Sequence, residues 1–243
     1  MKRNLVAALV LVAAGAMPVF AQEGTPLTDR QIQAQIERRL EKKDINRVAV
    51  GVHEGSVSLT GTVSSAWEKK TALEQAMKVK NVVGVASELT IARGDSDSVV
   101  ANEIARQVRR YTSYTIFDDV NVSVESGVAT LTGRVTMPYK AEEIADITAR
   151  VEGVQEVRND LQTLPVSIHD DRLRVSIARQ IYRDPLFSRY AIQANPPIHV
   201  IVERGRVTLT GAVGSKVERQ KAEMIARLTF GVFEVTNSLR IDP

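Results

Sequence analysis

Apolar positions recur in one order three times along the chain. Each time, a stretch with apolar residues three or four apart, which predicts an amphipathic helix, precedes two stretches of alternating apolar and polar residues, which predict strands. A second helical stretch and a closing alternating stretch complete the unit. The inner-face positions of the first helices are Ile32/Ile36/Leu40, Ile104/Val108/Tyr111 and Leu173/Ile177/Ile181. The pattern therefore predicts an α-β-β-α-β unit repeated in tandem.

A short motif fixes the register of the three copies. Gly55-Ser-Val-Ser-Leu-Thr-Gly61-Thr-Val recurs with Gly133 and again with Gly211 in the place of Gly61. Two helices of one unit can bury their apolar faces only against the same small sheet. The sequence therefore predicts an α+β fold with three tandem α-β-β-α-β two-layer sandwich domains, at residues 27–92, 97–164 and 170–241.

The recurring glycines predict turns rather than a ligand site. We expect Gly61, Gly133 and Gly211 to end a strand, where a positive φ or a close helix approach requires glycine. Gly153 and Gly231 follow the second helix of copies 2 and 3. Copy 1 has Asn81 in that place, and we expect the nearby Gly84 to provide its turn. No nucleotide-binding glycine pattern accompanies any of them.

The first residues have the pattern of an export signal. Lys2 and Arg3 precede an apolar run from Leu5 to Ala16, and Val19 and Ala21 occupy the two selective positions before the cleavage site. This pattern is typical of a secretory signal peptide, residues 1–21, which predicts cleavage after Ala21 and a periplasmic protein. The alternative is an uncleaved anchor helix. No later segment has the apolar length of a membrane span, so none is expected in the mature chain.

The chain carries little that points to catalysis. It has no cysteine and three histidines, His53, His169 and His199, which fall at different places of different copies. The recurring threonine hydroxyls of the Leu-Thr-Gly motif have no recurring base beside them. We therefore expect no enzyme, no metal, no cofactor, and scattered surface or edge histidines. The net charge of +3 falls to +1 without Lys2 and Arg3, which disfavours nucleic acid.

The repeat resembles the BON domain, named for bacterial osmotic-stress and nodulation proteins. The resemblance rests on the strand motif above and on Gly153-Val-Gln-Glu-Val-Arg-Asn-Asp-Leu161 and Gly231-Val-Phe-Glu-Val-Thr-Asn-Ser-Leu239. It implies a non-enzymatic periplasmic or envelope protein, linked to osmotic or envelope stress, that binds phospholipid or partner proteins. Membrane-anchored relatives carry a lipid-attachment cysteine, which this chain does not have, so permanent anchoring is not implied.

The three copies differ in net charge. Lys and Arg number 10, 7 and 12 in copies 1 to 3, and Asp and Glu number 8, 11 and 7, giving +2, −4 and +5. In copy 3, Arg172, Arg179 and Arg183 fall within about 40° on the first helix. The residues that follow or flank them are Tyr182, Phe187, Arg189 and Tyr190. Arginines beside amphipathic aromatics suit an anionic phospholipid surface, so these seven residues form a candidate lipid-binding site.

Two other interpretations of the arginine row stay open: a solvated outer face, and pairing of basic copy 3 with acidic copy 2. At the start of the second helix, Trp67 aligns with Tyr139 and Val217, and we expect these residues to pack as core. The functional hypothesis is reversible docking on anionic phospholipid. The alternative is a soluble periplasmic protein-interaction or chaperone-like module without lipid binding.

Overall fold

The computed structural model describes residues 26–242, and the predicted signal peptide lies outside them. Each copy forms one domain with the predicted order of elements. Domain 1 contains α1 (Asp29–Glu41), β1 (Val48–His53), β2 (Ser56–Val63), α2 (Ala66–Met77) and β3 (Gly84–Ile91). Domain 2 contains α3 (Asp97–Arg110), β4 (Asp119–Glu125), β5 (Val128–Val135), α4 (Pro138–Ala149) and β6 (Glu156–Thr163).

Domain 3 is the most elaborate copy. It contains α5 (Ile168–Arg183), a 3-10 turn (Pro185–Phe187), α6 (Ser188–Ala191), β7 (Ile198–Glu203), β8 (Arg206–Val213), α7 (Lys216–Leu228), β9 (Glu234–Asn237) and β10 (Arg240–Ile241). Helix α5 begins two residues before the predicted domain boundary. The third strand is divided into β9 and β10, and both segments pair with β8. The long connection from α5 to β7 has no counterpart of similar length in the other domains.

All three sheets share one topology. The first two strands form an antiparallel hairpin, and the third returns through a helix to lie parallel to the second, as in the order β1-β2-β3. The first helices bury the predicted apolar stripes against their sheets, except that Tyr111 is only partly buried. The α+β two-layer fold is therefore confirmed. In residues 26–242, no helix combines the length and the apolar character needed to cross a bilayer.

An aspartate at the start of the first helix holds the hairpin turn in every domain. In domain 1, the Asp29 carboxylate accepts hydrogen bonds from the backbone N–H groups of Glu54 and Gly55, at 2.9 and 3.0 Å. Asp97 and Asp170 bind the equivalent turns. Both turn residues have positive φ, 51° and 75° in domain 1, although the first is not glycine. The carboxylate therefore stabilises a strained turn by charge-assisted hydrogen bonds.

The strand glycines differ in place from the prediction. Gly61, Gly133 and Gly211 lie inside β2, β5 and β8, two residues before the strand ends. Each has a positive φ, and a Cβ on it would collide with a carbonyl oxygen that precedes or starts the neighbouring strand. Glycine is thus required because two strands approach closely, not because the strand ends. In the turn after α2, Asn81 itself takes the positive φ of 68°, whereas Gly84 starts β3, so the prediction for Gly84 is wrong. Gly153 and Gly231 take the same positive φ after α4 and α7.

Domains 1 and 2 meet through a short backbone pairing. The C=O of Ser64 accepts from the N–H of Gly153 at 3.0 Å, and the N–H of Ala66 donates to the C=O of Val154 at 2.9 Å. The Arg150 guanidinium lies 4.5 Å from the centre of the Trp67 ring. The start of α2 therefore rests on the connection between α4 and β6.

Domains 2 and 3 meet through different surfaces. Ile116 and Phe117, which precede β4, pack against the core of domain 3, and the C=O of Ile116 accepts from the N–H of Val200 at 2.8 Å. His199 is buried in β7, and its Nδ1 lies 2.5 Å from the C=O of Asp118. The outer edge of β7 is therefore covered by the chain entering β4.

Candidate functional site

The outer face of α5 carries the arginine row that the sequence singles out. Arg172, Arg179 and Arg183 are all exposed, and they line a shallow depression of about 540 Å³. Ile168 and Val175, which are 71% and 42% exposed, line the same depression beside them. The inner face of the same helix is buried in the core, so the helix is fixed with its arginines toward solvent. This face combines positive charge with exposed apolar groups.

The three arginines have no carboxylate within ion-pair distance in the described part of the chain. On the same helix, Asp171 pairs with the buried Arg174 instead, at 2.6 Å. Domain 3 meets acidic domain 2 through a different ion pair, Arg134 with Glu203, at 3.5 Å. The interpretation in which the arginine row pairs with domain 2 is therefore wrong, and the charge of the row faces solvent.

The aromatic residues of the predicted site do not join this face. Phe187 is fully buried and Tyr190 is 8% exposed, and both belong to the domain 3 core. Tyr182 is partly buried, and its hydroxyl donates to the C=O of Ile198 at 2.6 Å. Burial raises the pKa of this hydroxyl above its usual range. Because these rings close one end of the core, they cannot contact a membrane surface, and that part of the prediction is wrong.

Arg189 belongs to a polar cluster at the end of the core rather than to the arginine row. Its guanidinium donates to Glu218 Oε1 at 2.7 Å and to the Tyr190 hydroxyl at 2.7 Å. The Glu218 carboxylate also accepts from the backbone N–H of Gly214, and the N–H of Glu218 donates to the side chain of Ser215, the N-cap of α7. The cluster therefore links α6 to α7, and the charge of Arg189 is paired with the Glu218 carboxylate.

The histidines are separated, as expected, but not all are on the surface. His53 and His169 are exposed, whereas His199 is buried at the joint between domains 2 and 3. Burial lowers the pKa of His199, because desolvation disfavours the imidazolium. Across residues 26–242, no group of three or more acidic or histidine side chains has the arrangement of a metal site.

An apolar surface on domain 3 escapes the sequence analysis. Leu228, the last residue of α7, and Phe230 and Phe233, in the connection from α7 to β9, are 77%, 99% and 80% exposed. The connection lies along α5, because Gln180 Nε2 donates to Thr229 Oγ1 at 3.1 Å. A position-by-position comparison of the copies would have found it, since the aligned residues of domain 2 are Arg, Glu and Gln.

Trp67 is half-buried under Arg150, but Tyr139 and Val217 are 48% and 64% exposed, so the core prediction is wrong for those two.

Two curated proteins resemble the chain. Osmotically-inducible protein Y of Escherichia coli is 30% identical over 131 residues, which cover 50% of this chain and 61% of that protein. The chain thus matches less than two thirds of the length of this relative. An uncharacterised protein from the gshII 5′ region of Anaplasma centrale is 29% identical over 141 residues, which cover 54% of this chain and 91% of that protein.

Solved structures with some likeness come from type III secretion systems. The C-terminal domain of CdsD from Chlamydia trachomatis is 15% identical, with a TM-score of 0.25, over 89% of this chain and all of that one. The PrgH periplasmic domain is 13% identical, with a TM-score of 0.23, over 81% of this chain and 95% of that one. Likenesses this remote say nothing about function.

The family model for the BON domain matches three consecutive stretches, residues 28–93, 96–165 and 169–243. These stretches cover nearly all of the residues that form the three α-β-β-α-β domains. Each of them has the same strand pairing, a hairpin turn bound by an aspartate, and a glycine of positive φ where two strands approach closely. The chain therefore belongs to the BON domain family, of which it contains three copies.

Proposed function

We propose that the protein is a non-catalytic periplasmic protein of the osmotic or envelope stress response that docks reversibly on anionic phospholipid through domain 3. The observation that carries this proposal is the exposed arginine row of α5, Arg172, Arg179 and Arg183, which has no carboxylate within ion-pair distance among residues 26–242. The family and the name of the Escherichia coli relative support the link to osmotic stress.

Charge supports domain 3 as the docking domain. It carries +5, against −4 for domain 2 and +2 for domain 1. Each cation near an anionic membrane contributes about 1 kcal/mol, so the row contributes about 3 kcal/mol, on the order of a hundredfold in affinity. Ile168 and Val175 lie beside the arginine row and add apolar contact at the interface. Because the contact is superficial and electrostatic, it is reversible and salt-sensitive.

Flotation of the purified protein with liposomes tests this function. We expect binding to phosphatidylglycerol liposomes at low salt, loss of binding at high salt, and no binding to phosphatidylcholine liposomes. The triple variant Arg172→Gln/Arg179→Gln/Arg183→Gln should lose most of the binding. Its matched control is Arg30→Gln/Arg38→Gln/Lys42→Gln, at exposed positions of α1 and its C-cap, which removes the same charge from domain 1. Equal binding by the two triple variants would contradict the proposal.

A second candidate function is a protein-interaction or chaperone-like module, favoured by the free sheet edges. Strands β3 and β6 are eight residues long and pair on one side only, with β2 and β5, in the described ranges. An exposed edge can accept an extended peptide as an added strand. This candidate predicts suppressed aggregation of unfolded exported proteins without liposome binding. Failure to suppress aggregation of several such clients would contradict it.

A further inference from the structure

Two short segments that recur in every domain build the joint between domains 1 and 2. We call residues 64–67, 136–139 and 214–217 the corners of domains 1, 2 and 3, and residues 78–83, 150–155 and 228–233 their loops. The domain 1 corner rests on the domain 2 loop through the two backbone hydrogen bonds and the Arg150–Trp67 contact described above. This joint shows how a corner and a loop of this fold fit together.

The domain 3 loop has the same form but carries no corner in residues 26–242. Gly231 and Val232 hold the places of Gly153 and Val154 in the domain 2 loop. In the described part of the chain, no protein group accepts from the N–H of Gly231 or donates to the C=O of Val232. The side chains around this backbone, Leu228, Phe230 and Phe233, are the most exposed apolar group of domain 3.

These features point to a protein as the occupant of the domain 3 loop. An apolar patch of this kind usually marks an interaction surface. Hydrocarbon offers no partner for the Gly231 N–H, whereas the C=O of another polypeptide backbone does. The domain 2 loop, which has the same backbone form, is occupied by a corner. A corner is therefore the occupant that the fold itself suggests.

The domain 2 corner is the surface that fits the domain 3 loop. Met137 and Tyr139 are each 48% exposed, and they replace Ser65 and Trp67 of the docked corner. Domain 3 of the same molecule contacts domain 2 through residues 116–119 and Arg134, none of which belongs to this corner. The two side chains that would meet in this joint are also compatible with each other. Where Arg150 covers Trp67, the aligned pair is Leu228 and Tyr139, an aliphatic group against a ring.

We propose that the domain 2 corner of one molecule docks on the domain 3 loop of a second copy of this chain. The C=O of Thr136 accepts from the N–H of Gly231, as the C=O of Ser64 accepts from Gly153. Pro138 has no N–H, so this joint has one backbone bond where the other has two. Domains 2 and 3 carry −4 and +5, which favours their encounter. Because the two surfaces differ, the contact is heterologous and continues head to tail unless a ring closes.

Sedimentation of the full protein from about 1 to about 500 μM, a range that detects micromolar and weaker contacts, tests the proposal. We expect the mass to rise with concentration. Phe230→Glu removes the loop surface and Tyr139→Glu the corner surface, so each variant alone should stay monomeric. An equimolar mixture should form a dimer of twice the monomer mass and no larger species, because each variant retains the half that the other has lost. Ile192→Glu, at another exposed apolar position, is the control and should assemble like the unmodified protein.

Three results would overturn this proposal. The unmodified protein could remain monomeric over the whole range, which would mean that the loop serves another partner, such as a membrane. Tyr139→Glu could assemble as well as the unmodified protein, as a symmetric loop-to-loop contact would. The mixture of the two variants could stay monomeric, which would exclude complementary surfaces. Circular dichroism of each variant checks that the exposed substitutions leave the fold intact.

Discussion

Replacement of Lys140 tests how the second helix of domain 2 is anchored. Lys140 is 5% exposed, and its Nζ donates to Asp118 Oδ2 and Thr136 Oγ1, both at 2.7 Å. Asp118 is fully buried and also accepts from the N–H and hydroxyl groups of Thr115 and Thr136. Burial alone would raise the pKa of Asp118, but the bonds from Lys140, Thr136 and Thr115 outweigh it and lower the pKa.

In the other domains, a glutamate of the second helix accepts the backbone N–H that Asp118 accepts in domain 2. In domain 1, Glu68 occupies the place of Lys140, and its carboxylate accepts the N–H of Ser64 at 2.9 Å. In domain 2, Asp118 accepts the equivalent N–H of Thr136 at 2.7 Å, and Lys140 neutralises the buried carboxylate. The carboxylate thus comes from a loop instead of the helix. Removal of the lysine alone should leave a buried charge without its partner.

Lys140→Met should lower the free energy of unfolding of domain 2 by about 3 kcal/mol, the lower end for a broken buried pair, because four neutral donors still solvate the carboxylate. The double variant Asp118→Asn/Lys140→Glu, which reproduces the residues of domain 1, should recover at least half of that loss. Hydrogen exchange of the β4 and β5 amides during urea titration measures the stability of domain 2 separately. The cost of Lys140→Met should shrink as the pH falls, because Asp118 of the variant no longer has the ammonium group that lowers its pKa and therefore binds a proton at a higher pH than Asp118 of the unmodified protein.

Two outcomes would refute this reasoning. Lys140→Met could cost less than about 1 kcal/mol, the range of a surface pair, which would mean that water reaches the carboxylate. Alternatively, the double variant could be no more stable than Lys140→Met. In that case Glu at the helix position cannot take over the role of Asp118, and the equivalence drawn between the two domains would be wrong.

Three further substitutions probe domain 3 by urea denaturation. Gly211→Ala should cost about 3 kcal/mol or more, because the new Cβ meets the Pro197 carbonyl and φ is positive; a cost below about 1 kcal/mol would contradict the close approach. Asp170→Asn should cost about 1.5–3 kcal/mol at pH 7. Burial alone would raise the pKa of Asp170, but the turn hydrogen bonds outweigh it and lower the pKa, so this loss should start to shrink below about pH 3.9, the ordinary value in the unfolded chain, and vanish as the pH falls through the lower pKa of the folded state; an unchanged loss at pH 3 would argue against it. Burial lowers the pKa of His199, so stability present above about pH 6.5 should decline below it, and His199→Gln, but not the exposed His53→Gln, should flatten that decline.

The repeat made most of the fold predictable. Three copies of one apolar pattern, aligned on Leu-Thr-Gly, determine which helix faces are buried and which strands pair. The glycine inside each strand was misplaced, because the pattern does not distinguish a positive φ within a bent strand from one at its end. The turn aspartates were missed, because the distance from Asp29 to Gly55 along the chain differs from the distances from Asp97 and Asp170 to their turns.

The candidate site was predicted only where the repeat applies. The arginine row lies within α5, whose register follows from the apolar stripe, and its exposure is as expected. The neighbouring aromatic residues lie in the α5–β7 connection, for which the other copies offer no counterpart of similar length. Periodicity therefore could not show that Phe187 and Tyr190 turn back to close the core. The connection has fourteen residues and contains two aromatic rings. Because burial of aromatic rings is strongly favourable, this composition favours packing of the rings in the core over their exposure.

The arginine row and the domain 3 loop are separate surfaces, although both border α5. Gln180, which bonds to Thr229 beside Phe230, lies about 80° around the helix from Arg172. His169, which approaches Gly231, lies about 60° from Arg172 on the same side. Ile168 and Val175 lie on the opposite side of the row. A molecule held by its arginines to a membrane therefore keeps the loop at the flank of the contact. The two proposed contacts thus use different surfaces of domain 3, and docking on a membrane would raise the effective concentration for assembly.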